Sequence, residues 1–299
     1  MVPSPIHVGL LDLYRVIMQV DLLGPIVLAI SGFAIGFVGG MVGLVLGVVR
    51  FPVVMSVETS ASITAGTNLG ISTLGAITAA LRHYRLGNIH FRLFLILGLT
   101  GAAGAFIGSF LTGYVPVSYL LVVIGIIVSY ESYVLLKGSR TGRENINRNE
   151  ISENPRSEGS ENTDRIPVYT HEKLIFIESI IGFGIGVLGG LVGLVLGSIR
   201  MPAMISILKM EPRVAVGTNL AASSIMGISG LVGHIINNNI DYFVLIIMGG
   251  GAMIGGYLGA RYTNLFSERS LKRVIGLVLI IVAATMFLGV LGLGVDVLH

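Results

Sequence analysis

The sequence predicts an all-α, polytopic membrane protein made of two inverted-topology repeats of about four segments each, every repeat opening on a glycine-rich broken or hairpin segment. Composition, an internal duplication and the distribution of loop charge carry that expectation. Of the 299 residues, 53% are hydrophobic and only 12% charged, with a mean hydropathy of +0.87. That leaves too little polar surface to coat a soluble globule. The net charge of +3 and pI of about 9.2 would direct a soluble protein toward nucleic acid, but in a membrane chain they are loop charges that orient it, so no nucleic-acid partner is expected. Forty-two glycines suit helices that pack backbone to backbone in lipid. The absence of cysteine excludes disulfides, thiolate nucleophiles and iron–sulfur clusters. The first twenty residues lack the charged start and compact apolar run of a cleavable signal and read as mature sequence.

The duplication is direct. GFAIGFVGGMVGLVLGVVRFP at 32–52 returns as GFGIGVLGGLVGLVLGSIRMP at 182–202, with 14 of 21 positions identical. At an offset of 151, AGTNL (65–69) answers VGTNL (216–220), and His83 falls on His234. A duplicated, glycine-rich membrane unit is the signature of transporters that build one site between related halves.

Apolar stretches run at 22–49, 61–81, 93–113 and 115–136, then at 174–199, 214–236, 242–260 and 274–295. Each approaches or exceeds the ~20 residues that span a hydrocarbon core. The polar stretch 137–173, with seven basic and seven acidic residues, reads as a disordered linker. The organisation is therefore a first repeat (1–136), a linker (137–173) and a second repeat (174–299).

Loop charge sets the topology. The loop at 82–92 carries Arg82, Arg85 and Arg92, and its copy at 237–241 carries none; the loop near Pro116 carries none, and its copy carries Arg261, Arg269, Lys272 and Arg273. Equivalent loops with opposite bias require halves of opposite orientation. An even number of crossings per half cannot produce that, so one segment per half enters and leaves on one side. The glycine run fits: residues 22–57 hold Arg50 as their only charge and divide into two legs of about 17 residues, roughly 25 Å each, turning near Gly39 and Gly40. The second copy divides likewise at Gly189 and Gly190. This arrangement places 17 of the 19 Lys and Arg inside, whereas eight single crossings give 11 against 8. Both termini then lie outside the cell membrane, and loop 82–92 and the linker are cytoplasmic.

At these residues the chain resembles the TauE/SafE family of membrane anion exporters, which handle sulfite and organosulfonates. Gly36, Gly39, Gly40, Gly43, Gly47 and Pro52 match the family's first glycine run, and Gly186, Gly189, Gly190, Gly193, Gly197 and Pro202 match the second. Gly66-Thr67 and Gly217-Thr218 match the motif that follows, and a Gly-any-Ile-Asp loop motif is met in part by Gly87 with Ile89 and by Ile240 with Asp241. The resemblance covers about 260 residues and excludes the linker. It implies export or exchange of a small oxyanion, by alternating access, with a small anionic substrate and the lipid bilayer as partners, a coupling proton or cation, and no cofactor or metal. A homo-oligomer is compatible with it. Two departures are made twice: Val45-Leu46 and Val195-Leu196 stand where the family has glycines, and Arg50 and Arg200 where it has an apolar residue.

Candidate site residues follow. Pro52 and Pro202 lack an N–H and release the carbonyls of Val48 and Ser198, so with Gly43, Gly47, Gly193 and Gly197 they break helices and expose backbone groups to a ligand. Arg50 and Arg200 each cost roughly 2.5 to 3.5 kcal/mol in a membrane, and their planar forks suit an oxyanion; snorkelling, or pairing with Glu58 or Glu211, is the alternative. Thr67, Asn68, Thr218 and Asn219 lie inside apolar segments and are placed either to donate to an anion or to bond between helices. His83 and His234 stand at segment ends as proton couplers or interfacial anchors. Glu131 and Glu178 are coupling carboxylates or inner-interface partners of Lys137 and Lys173. Three other functional classes are weighed: a passive anion channel, a membrane enzyme using the two histidines, and a scaffold. No metal-ligand spacing, nucleophile elbow or phosphate loop is present.

Overall fold

The computed structural model describes residues 23–55, 57–58, 60–112, 114, positions between 125 and 137, 171–194, 196–206, 208 and 210–290. Within them the chain is helical: α1 (Leu23–Val42), α2 (Gly47–Met55), α3 (Ala61–Arg85) and α4 (Phe91–Phe110), then α5 (His171–Val192), α6 (Gly197–Ser206), α7 (Pro212–Ile236), α8 (Tyr242–Tyr262) and α9 (Glu268–Val290). Helical positions between 125 and 137 pack on α9, where the Ser132 hydroxyl donates to Gly276 O at 2.7 Å. Among the described residues, four stretches are long and apolar enough to cross a membrane: Gly24–Val42, Phe91–Phe110, Pro212–Ile236 and Tyr242–Leu265. Ile246 is 68% exposed and Leu99 59%; such outward apolar side chains are favourable in lipid and costly in water. Residues 138–170, the bulk of the expected linker, lie outside the described residues.

Each glycine run is a long helix, a break and a short helix. The expectation of two equal legs turning at Gly39 and Gly40 is corrected. The long legs have 20 and 22 residues and the short ones 9 and 10, so the short helices are only about 14 Å long. The turns come later, at Gly43 (φ +76°) and Gly193 (φ +71°), in the left-handed region that only glycine enters freely. Gly43 N–H and Leu44 N–H both return to Gly39 O, at 2.8 and 3.1 Å, and Leu194 N–H returns to Gly189 O at 2.9 Å, the Schellman-type helix stop. Gly39 and Gly40 stay helical because their role is close packing. The prolines do not make the break either: α2 and α6 continue across Pro52 and Pro202.

The halves interlock crosswise. α1 lies along α8, and α5 lies along α4. On α1 a Cβ at Gly32, Gly36 or Gly40 would collide with the backbone of Met248, Ala252 or Gly256; on α5 a Cβ at Gly182, Gly186 or Gly190 would crowd Leu97, Gly101 or Ala105. The two sets are equivalent under the sequence repeat. α3 and α7, one from each half, cross between these pairs. At the α3–α4 turn Gly87 has φ +75°, and its counterpart Asn238 has φ +54°, a conformation asparagine tolerates better than most residues.

The contrast between two left-handed glycines tests this. Gly43→Ala adds a Cβ 2.6 Å from Val216 Cα, whereas a Cβ on Gly87 has nothing within 4 Å. The Gly87 change should cost about 1 to 2 kcal/mol, the backbone strain alone, and the Gly43 change at least about 2 kcal/mol more through overpacking. Equal shifts in unfolding of the two purified variants, compared in one detergent, would contradict the assignment of Gly43 as the close-packed break.

Candidate functional site: two broken helices and their arginines

A helix that stops inside an apolar core leaves carbonyls and amides that need partners. Here each half supplies them to the other. Asn219 on α7 donates through Nδ2 to Gly43 O in the first break at 2.7 Å, and to Gly197 O in its own half at 3.1 Å. Asn68 on α3 donates through Nδ2 to Gly193 O in the second break at 3.1 Å. Gly47 and Gly197 permit this approach, because a Cβ there would lie 3.1 and 2.7 Å from the amide nitrogens of Asn68 and Asn219.

Thr67 and Thr218 follow the same cross-half pattern. Asp241 N–H donates to Thr67 Oγ1 at 2.8 Å, and His90 N–H donates to Thr218 Oγ1 at 2.9 Å. Both acceptors therefore hold a loop of the partner half, the one before α8 and the one before α4. His83 and His234, expected at segment ends, have no exposed surface. Their Nε2–H groups donate to Gly40 O (3.2 Å) and Gly190 O (3.1 Å), just before the breaks. Asn88 Nδ2 lies 3.4 Å from His83 Nδ1, which fits the tautomer carrying its proton on Nε2. Glu131 and the side chain of Glu178 fall outside the described residues.

The arginines sit in the first turn of each short helix, each only 2% exposed. They neither snorkel nor reach the expected carboxylates: Glu58 accepts from Ser60 N–H at 3.0 Å, and among the described residues no acid hydrogen-bonds either guanidinium. Their surroundings differ sharply. Arg200 donates through Nε to Asn219 Oδ1 (2.8 Å) and through Nη2 to Ser223 Oγ (2.7 Å) and Asn219 O (3.3 Å), and its Nη1 lies 2.6 Å from Met226 Sδ. Arg50 makes one long contact, from Nη1 to Ser72 Oγ at 3.4 Å. Its Nε is buried without a partner, and so is Asn68 Oδ1, the two atoms whose counterparts bond in the second half.

Beside Arg50 lies a cavity of about 20 Å³, whose lining includes Gly39, Leu46, Arg50, Ser72, Gly75 and Leu220. Its volume admits a water molecule or a compact ion. It borders the first turn of α2, whose macrodipole adds positive potential. Val45 and Leu46, which stand where the family has glycines, form part of its wall.

Of the sequence-derived candidate site residues, Arg50 lines this cavity, with Gly47 beside Ser72. Thr67, Thr218 and Asn219 are committed to structural hydrogen bonds, and Asn68 in part. Ser72 and Ser223 were missed, although the 151-residue offset pairs them just as it pairs the asparagines.

Unequal stability costs should follow for the asparagines. Asn219→Ala removes two bonds to break carbonyls and leaves a buried guanidinium donor unpaired, costing about 3 to 5 kcal/mol. Asn68→Ala removes one bond and should cost about 1 to 2 kcal/mol. Denaturant unfolding of both variants measures the difference, and equal costs would contradict the asymmetric arrangement.

The comparisons agree with this architecture. The profile of the family described as "Sulfite exporter TauE/SafE" matches residues 28–286. Among curated relatives, the probable membrane transporter protein YdhB of Bacillus subtilis is 26% identical over 70% of this chain and 78% of its own length. The probable membrane transporter protein YunE of the same organism is 23% identical over 77% and 82%, and a probable membrane transporter protein of Xylella fastidiosa is 26% identical over 85% and 91%. No solved structure matches the chain. With a profile match running through both broken helices and all four long apolar stretches, the chain belongs to the TauE/SafE sulfite exporter family and is a multi-pass membrane transporter.

Proposed function

We propose that the chain exports or exchanges a compact oxyanion of the sulfite type, at a site between two inverted repeats, by alternating access. The observation that carries this reading is Arg50: a buried cation with no carboxylate partner among the described residues, its Nε unpaired, facing a cavity at a helix break. A charge in that position is costly unless an anion completes it. Sulfite can accept from the fork of Arg50 and from the Ser72 hydroxyl, while the amides at the start of α2 contribute potential. The volume of about 20 Å³ favours a few-atom inorganic anion over the carbon skeleton of an organosulfonate. The bulk of Val45 and Leu46 supports the same preference.

Release has a built-in route. The second half displays an Arg–Asn bond at 2.8 Å; an equivalent bond between Arg50 Nε and Asn68 Oδ1 would withdraw the donor from the anion. In this reading His83 and His234 hold the breaks by bonding Gly40 and Gly190, and a coupling proton or cation binds elsewhere. A cavity this small beside packed glycines supports a transporter over an open channel, which would require a continuous wet path.

In this reading, which the loop charges support, both termini lie outside and loop 82–92 inside, with the repeats (1–136 and 174–299) in opposite orientations. The chain contains no cysteine, so single cysteines report directly. The equivalent exposed positions Tyr84 and Ile235, replaced one at a time by cysteine, should react with an impermeant thiol reagent from opposite faces. Labelling from the same face would end the inverted-repeat reading.

Sulfite flux in proteoliposomes tests the transport reading. Arg50→Ala should lower it about tenfold or more, and Arg50→Lys should fall between, since it keeps the charge and loses the planar fork. Wild-type flux in both variants would remove Arg50 from the site. Current without counter-transport that fails to saturate would replace the transporter with a channel.

A further inference from the structure

Aligned on the repeat, the surroundings of the two arginines match at almost every position. Asn68 answers Asn219, Ser72 answers Ser223, and Gly47 answers Gly197. The largest exception is Gly75, whose counterpart is Met226; Ala76 and Ala252, which also line the cavity, answer the smaller Gly227 and Gly101. Gly75 lines the cavity beside Arg50. Met226 has 3% exposure and brings its sulfur to 2.6 Å from Arg200 Nη1. The surrounding helices accommodate the difference: Gly101, beside Met226, would place a Cβ 2.6 Å from the Met226 methyl, while its counterpart near Gly75 is the larger Ala252.

From this we infer that the chain carries one anion site, at Arg50, and that the Gly75/Met226 difference makes it single by leaving the first copy open and plugging the second. The inference deepens the transport reading and rests on its placement of an anion at Arg50. Of the five N–H groups of a guanidinium, Arg200 has directed four contacts to Asn219, Ser223 and the thioether. It is self-liganded and serves as a strut for the second break. Arg50 directs one, at 3.4 Å. A glycine at 75 removes the side chain that would otherwise occupy the space in front of its fork, so Gly75 sets the size of anion admitted without touching the anion itself. The ligand is a compact inorganic oxyanion, and the duplicated arginine in the second half does not take another.

Calorimetric titration of the purified full chain with sulfite, in detergent, decides the matter. One anion per chain is expected. Gly75→Ala adds a methyl in ordinary contact, 3.4 Å from Ala252 O, so the protein should fold and bind sulfite roughly tenfold or more weakly. Gly75→Met should abolish binding while thermal unfolding still reports a folded protein. If the wild-type chain binds two anions, and Arg200→Gln removes one of them, the single-site inference fails while the anion-site reading stands. If the wild-type chain binds none, the anion-site reading itself fails. If Gly75→Ala binds with wild-type affinity, position 75 does not govern the site.

Discussion

Everything in this molecule depends on satisfying backbone polar groups where a helix stops inside an apolar core. Lipid cannot complete a carbonyl there, and an unpaired one costs several kcal/mol. The solution is reciprocal. Asn219 of the second half closes the first break and Asn68 of the first half closes the second, so neither broken helix is complete without the other repeat. The glycine ladders that bring α1 against α8 and α5 against α4 follow from that need. Only near-contact between backbones carries a side-chain amide from one half into the break of the other.

On this symmetric frame the chemistry is asymmetric. The same residue types surround both arginines, yet Arg200 is bound into its half by Asn219 and Ser223, and Arg50 is held by Ser72 alone. Met226 accounts for part of the difference, since its thioether fills what Gly75 leaves open. The rest lies in the Arg–Asn bond, made in one copy and open in the other. Duplication thus yields two cradles of like shape, one of which has become part of the scaffold.

Much of this was legible in the sequence. Composition and repeat placed the chain in a membrane with two related halves, and the glycine run marked where the helices break. The register of the break was not legible. Gly39, Gly40 and Gly43 look alike in sequence, and only the packing of Gly40 on Gly256, against the left-handed φ of Gly43, separates them. The polar residues were legible with two roles open, donors to an anion or bonds between helices. Thr67, Thr218 and Asn219 have the right chemistry for an anion, and that same chemistry bonds the loops and breaks of the opposite half. A sequence read one half at a time shows donors without showing which backbone group already occupies them. The Gly75 and Met226 pairing was available from the offset, but without the cavity nothing set it apart from other differences.

The tied arginine still matters to the open one. Hydrogen bonding to neutral groups leaves the charge of Arg200 in place, since asparagine, serine and methionine neutralise nothing. Asn219 contacts both Arg200 Nε and Gly43 O, so the second cation lies one side chain away from the first break. Leu220, the next residue on α7, lines the Arg50 cavity. In a medium of low dielectric, screened little by salt, that second charge would raise the potential felt by the anion proposed at Arg50. It also raises the cost of any cation that enters. Under the proposed transport reading the two arginines divide the work of selectivity: Arg50 offers its donors to the anion, and Arg200, bound into its own half, keeps the surroundings positive whether or not the site is filled.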